Sequence, residues 1–138
     1  MGAFTMEELA AALKTEGLTV DALDEDQASV KRGACDVAFI DIRDCIIEVG
    51  LRVCSNKPGG VIDMAEARKA IEPLREAWEE AGFEVSKHGY KGTYSRLSDK
   101  DTKYTDVTFD ARQAFATLAE AVRILSWTRG ATQHARVR

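Results

Sequence analysis

The sequence predicts an α+β fold: a mostly antiparallel sheet of about four to five strands packed against three helices as a two-layer sandwich. Two observations lead there. In three separate segments apolar residues recur at three- and four-residue steps, the spacing that gives a helix one buried stripe. Between those segments the period falls to two, as in strands, and the strand-like runs come in pairs that read as hairpins.

The first helix is expected from Met6 to Glu16. Thr5 caps it, Glu8 completes a capping box, and Met6, Leu9 and Leu13 share one face. Gly17 supplies the left-handed stop and Leu18 packs back on the helix end. The acidic patch Asp21–Asp26, followed by Ser29-Val30-Lys31-Arg32-Gly33, reads as a short helix or an irregular loop. From Asp36 to Cys54 the period is two. Val37 and Phe39 oppose Ala38, Ile40 and Ile42, and then Ile47, Val49, Leu51 and Val53 alternate with Glu48, Gly50 and Arg52. A hairpin turning at Arg43-Asp44 is the preferred reading, with one long bent strand or a bulge near Asp44 as alternatives.

Ser55-Asn56-Lys57-Pro58-Gly59-Gly60 breaks the pattern. A second helix is expected from Met64 to Ala81, with Asp63 and Glu66 forming its capping box, a stripe of Met64, Ala67, Ile71, Leu74 and Trp78, and a kink at Pro73. Gly82 ends it, and Phe83-Glu84-Val85 starts another strand. Ser98-Asp99-Lys100-Asp101 is expected to turn a second hairpin between Thr93–Leu97 and Tyr104–Phe109. The third helix is expected over Ala111–Trp127, capped by Asp110, with Phe115, Leu118, Val122 and Leu125 facing inward. Trp78 and Trp127 read as core or interface anchors.

A chain of 138 residues suits one domain, expected over residues 1–128, followed by a basic, flexible tail at residues 129–138. The net charge of −4 argues against broad electrostatic binding to nucleic acid or an anionic membrane. No apolar run approaches the roughly 20 residues that cross a bilayer, and no signal peptide is expected. Cys35, Cys45 and Cys54 lack the two-residue gap of zinc or redox pairs and read as reduced thiols in a cytoplasmic compartment.

No catalytic, cofactor-binding or metal-binding motif is identified. Asp41, Asp44 and Glu48 cluster beside a turn, yet no second ligand set completes a divalent site, and surface acids on a hairpin are the simpler reading. His88 and His134 lack the context of a nucleophile elbow or a metalloprotease helix. Gly59-Gly60 lacks the spacing and the Lys-Ser/Thr ending of a nucleotide loop. The stretch Lys87, His88, Tyr90, Lys91, Tyr94, Arg96, Lys100, Lys103, Tyr104 interleaves cations and aromatics, as a nucleic-acid strap does, but a solvated hairpin with cross-strand tyrosines has the same pattern. Protein contact is preferred over nucleic acid, given the acidic whole.

Together these segments resemble the tail terminator proteins of long-tailed phages, which close the tail tube beneath the head. The likeness lies in order and texture over roughly residues 5–110. A capped helix comes first. The alternating strand Cys45-Ile46-Ile47-Glu48-Val49-Gly50-Leu51-Arg52-Val53 then runs through a loop into helix Met64–Ala81. Gly82-Phe83-Glu84-Val85 leads to a polar loop and a closing strand, Lys103-Tyr104-Thr105-Asp106-Val107-Thr108-Phe109. Two features depart from the family: a helix and a basic tail follow the closing strand, and the hairpin at residues 36–54 is richer in hydrophobics. The resemblance implies a homo-oligomeric ring, commonly a hexamer, that stacks on the tail tube and meets neck or connector proteins without catalysis or cofactor. It also implies residence in the virion after assembly in the host cytoplasm. Polarity, rather than any family motif, selects the interface candidates: Lys87, Tyr90, Lys91, Tyr94, Arg96, Lys100, Lys103, Arg129, Arg136 and Arg138. Two other classes compete. One is a small acidic inhibitor or immunity-type protein whose Asp21–Asp26 patch meets a basic partner; the other is a small enzyme whose groups only the fold brings together.

Overall fold

The computed structural model describes residues 4–55 and 60–137. Its elements, in chain order, are α1 (Met6–Lys14), β1 (Thr19–Ala22), β2 (Gln27–Arg32), β3 (Cys35–Asp41), β4 (Ile46–Ser55), α2 (Met64–Glu80), β5 (Glu84–Val85), β6 (Tyr90–Arg96), β7 (Asp99–Ala114), α3 (Leu118–Gly130) and β8 (His134–Val137). The fold is α+β, but its open, mostly antiparallel sheet has eight strands rather than four to five. Hydrogen-bonded neighbours run β1-β2-β3-β4-β7-β5, with β6 on β7 and β8 on β4. The chain divides into two compact units, Met1–Val49 with Arg112–Thr132 and Gly50–Ala111 with Gln133–Arg138; β4 and β7 each run through both.

In the first unit the expected capping box closes α1. The Glu8 amide donates to Thr5 Oγ1 at 3.1 Å and the Thr5 amide donates to Glu8 Oε1 at 3.2 Å. Leu9 and Leu13 are fully buried, and Gly17 takes its left-handed stop at φ 73°. The acidic patch is neither helix nor irregular loop: β1 and β2 form an antiparallel hairpin around it. Ala28 and Val30 supply the buried face of β2. Asp24 turns the chain, its Oδ1 accepting from the amides of Asp26 and Gln27, both at 2.8 Å.

The hairpin expected between residues 36 and 54 is present, pairing Phe39↔Glu48, Ile40↔Ile47 and Asp41↔Ile46. Its turn lacks glycine or asparagine because Asp41 closes it: Oδ1 accepts from the amides of Arg43 at 2.9 Å and Asp44 at 3.0 Å. Cys45 carries the remaining strain in the left-handed region, φ 58°. The β3–β4 pairs run from Phe39↔Glu48 to Asp41↔Ile46 without a register shift; the β2–β3 pairing has one between Val30 and Lys31. Helix α3 starts later than expected, at Leu118, because the period-two alternation of Val107, Phe109 and Ala111 carries β7 on to Ala114. Thr117 rather than Asp110 is its cap, accepting from the Glu120 amide at 3.1 Å. Ala121, Ile124, Leu125 and Thr128 are buried, while Leu118 and Val122 are half-buried. Phe115 packs on Phe4 with ring centroids 5.7 Å apart.

In the second unit α2 buries Ala67, Ile71, Leu74 and Trp78 and contacts β5 and β8. Trp78 meets Phe83 edge-on at 4.8 Å. Asp63 is the N-cap, but its side chain makes no capping bond, so the expected box with Glu66 is not formed; the helix is continuous through Pro73. The basic segment read as a flexible tail is structured differently. Arg129 and Gly130 close α3, and residues 134–137 form β8, parallel to β4, from Arg52↔His134 to Ser55↔Val137. Alternating Ala135 and Val137 between polar residues is a strand pattern, too short to stand out beside three arginines.

Candidate functional site

Most of the interface candidates gather on the β6–β7 hairpin, which is tighter than expected. Arg96 pairs with Asp99 across the two-residue turn Leu97-Ser98. Asp99 Oδ1 accepts from the amides of Asp101 at 3.2 Å and Thr102 at 3.3 Å, and its carboxyl is held below the ordinary range chiefly by the Thr102 hydroxyl. At the other end Gly89 passes close over the core. A Cβ there would lie 2.6 Å from Val107 Cγ1 and 2.8 Å from Phe109 Cζ, so only glycine fits.

Strand alternation sends Tyr90, Gly92 and Tyr94, with Tyr104, Asp106 and Thr108 opposite them, to one face of the hairpin. On that face Arg96 sits 4.2 Å above the Tyr104 ring, Tyr104 stacks on Tyr94 at 5.5 Å, and Arg52 lies 5.3 Å from the Tyr94 centroid. Arg52 then donates to Asp106 through Nε, at 2.9 Å, and through Nη2. Asp106 is buried, and its hydrogen bonds hold the Arg52 guanidinium above its ordinary pKa against the opposing cost of burial. His134, in register with Arg52 on β8, is pushed down first by burial and then by Arg52 and Arg136. Tyr90 donates to Asp110 at 3.4 Å, and burial raises its phenol.

The interleaved cations and aromatics therefore form an internal cation–π ladder. The ring faces of Tyr94 and Tyr104 that stacked bases would need are taken by each other and by guanidinium groups. Lys87 and Lys91 remain exposed, as does Lys100, while Lys103 donates to Ser95 at 3.0 Å. Leu97, at the tip, is 94% exposed. Arg136 lies on β8 of the same unit. Arg129 belongs to the other unit and works structurally, donating to the Glu16 carbonyl while its own carbonyl accepts from Arg32 at 2.9 Å. Arg138 and Gly59 lie outside the described residues. Arg52, Asp106 and His134 were not singled out as site residues from the sequence. Their meeting depends on strand order, and nothing local to any of them announces it.

The carboxylates at the β3–β4 turn do converge. Asp41, Asp44 and Glu48 line a cleft of about 240 Å³ with Gln27 and Arg112. Their oxygens have structural work, however. Asp41 Oδ2 accepts from Gln27 Nε2 at 3.1 Å, and the Asp44 amide followed by Gln27 holds its carboxyl below the usual range. Glu48 pairs with Arg112 at 2.9 Å. Among the described residues no group of three or more His, Cys, Asp or Glu side chains is placed to hold a metal ion. His88 borders a shallow cleft of about 580 Å³ with Arg68, Glu72, Arg75, Glu79 and Lys87. Its central cation, Arg75, is already spent on the Val85 and Ser86 carbonyls at 2.9 and 3.0 Å and on Glu72 and Glu79. Cys35 is exposed, Cys45 half-buried and Cys54 buried, all as free thiols. Trp78 is a core residue, whereas Trp127 is 38% exposed. Among the described residues no helix is long and apolar enough to cross a membrane.

No family model, no curated protein and no solved structure matches this chain.

Proposed function

We propose that this chain is a non-enzymatic assembly protein of a tailed-phage virion, joining a homo-oligomeric ring at the head-proximal end of the tail. The observation that carries the reading is the open sheet. Among the described residues β1 pairs only with β2 and β6 only with β7, each in an exposed hairpin, which leaves each with one edge lacking a strand partner, as the short strands β5 on β7 and β8 on β4 also have. Unpaired edges of this kind are templates for adding another chain. The hydrogen bonds of the polar clusters at Asp41, Arg75 and Arg52 close a turn, tether strands and build the ladder. The likeness to tail terminators rests on the order of sequence segments over residues 5–110, to which the fold adds the β1–β2 hairpin and the extension of β7 to Ala114.

The test is light scattering on the eluted full chain, followed by electron microscopy of the peak with purified tail tubes. A closed ring that caps tube ends is expected; a monomer that never joins the tubes would overturn the reading. The second reading, an inhibitor-like protein, has one observation in its favour: Asp24 and Glu25 are exposed on a hairpin turn. It predicts a monomer that binds one basic partner.

A further inference from the structure

The two edge hairpins carry opposite charge. Residues 17–26, which hold β1 and its turn, contain Asp21, Asp24, Glu25 and Asp26 and no lysine or arginine. Residues 87–97, which hold β6, contain Lys87, Lys91 and Arg96 and no acid. The asymmetry extends to the units. Met1–Val49 with Arg112–Thr132 holds 7 Lys and Arg against 12 Asp and Glu, net −5; Gly50–Ala111 with Gln133–Arg138 holds 12 against 11, net +1. Each hairpin also shows one leucine to solvent, Leu23 at 60% and Leu97 at 94%.

We infer that the β6 edge of one copy adds to the β1 edge of the next, head to tail, so that the sheet continues from subunit to subunit. This inference rests on the assembly reading and specifies its contact. Symmetric alternatives are disfavoured by charge. Pairing β1 with β1 brings together the two copies' Asp21 and the acidic turns that follow it, and pairing β6 with β6 brings Lys91 and Arg96 of the two copies together. A lysine on an edge strand blunts self-pairing, and here the same lysine is matched by the acidic turn Asp24–Asp26 that follows β1. Asp21 keeps a local partner in Lys31 at 3.3 Å, but Glu25 is exposed at the turn. Contacts between two different surfaces propagate, and they close into a ring when the rotation allows. The exposed leucines gain burial at the same junction.

The test uses two double variants of the full chain, Lys87→Glu with Lys91→Glu and Glu25→Lys with Asp26→Lys, followed by sedimentation velocity at low and high salt. Each variant alone is expected to weaken self-association by more than about tenfold, because the first makes both edges acidic and the second removes the negative charge that faces the basic edge. An equimolar mixture should associate again, since each variant offers the edge the other lacks, and that recovery also shows that both variants are folded. Oligomers of unchanged size in both variants would overturn the edge contact while leaving the assembly reading intact. Dissociated variants that do not recover on mixing would also overturn it. A wild-type chain monomeric at low salt and high concentration would overturn both.

Discussion

The two edge hairpins share a turn device and differ in what their strands do. In β1–β2 an aspartate at the turn, Asp24, accepts two amides ahead of it; in β6–β7 Asp99 does the same. Beyond the turns they diverge. The β6–β7 hairpin uses its polar side chains on itself, through Arg96, Tyr104, Tyr94, Arg52 and Asp106. In the β1–β2 hairpin Lys31 pairs with Asp21 at 3.3 Å and with Asp36 of β3 at 3.9 Å, and Glu25 is left outward. Charge in the two hairpins is thus placed differently: around β6–β7 the arginines and tyrosines bind one another while Lys87 and Lys91 stay exposed, and in β1–β2 Lys31 is paired while the turn acids Asp24 and Glu25 stay exposed.

The contrast breaks first at the ladder. Asp106→Ala should destabilise the chain by about 2–3 kcal/mol in urea unfolding, because it strands a part-buried guanidinium; the loss is moderated by the water that reaches Arg52. Asp106→Asn, which keeps an acceptor, should lose less. Gly89→Ala comes next, at about 1–3 kcal/mol, since its methyl would enter the space of Val107 and Phe109. Arg96→Ala should cost only about 0.5–1 kcal/mol through loss of its seat on Tyr104. Asp24→Ala is expected to cost about 0.5–1 kcal/mol through loss of the amide bonds at the β1–β2 turn.

The smallest effect is a pH dependence. His134 has its folded pKa below the ordinary value of about 6.5, so the folded state resists its protonation. Stability is therefore full above that value and falls as pH drops towards and through the depressed pKa. His134→Gln should flatten the decline in melting temperature over this window. Asp41 behaves in the acid range: its contribution is present above its ordinary value and is lost as pH falls through the lowered one, so Asp41→Asn should blunt acid unfolding.

Local signals were legible. The Thr5–Glu8 box, the α2 stripe ending at Trp78 and the β3–β4 alternation all act between near neighbours, so their period or cap shows directly. The β1–β2 hairpin was hidden because only Ala28 and Val30 of β2 are fully buried, and β1 is polar and exposed. The start of α3 was misplaced because Asp110 looks like a cap, yet strand pairing keeps residues to Ala114 extended. Half of the site was visible, as Tyr94, Arg96 and Tyr104 alternate along one stretch. The other half was not: Arg52 meets Asp106 from 54 residues away, and only the order of strands decides that.

The most direct measurement is sedimentation velocity of the unmodified chain over a range of salt and protein concentration. A multi-subunit species at low salt that dissociates as salt screens the opposed edges is the predicted result. A chain that stays monomeric at low salt, at every concentration, would contradict the account.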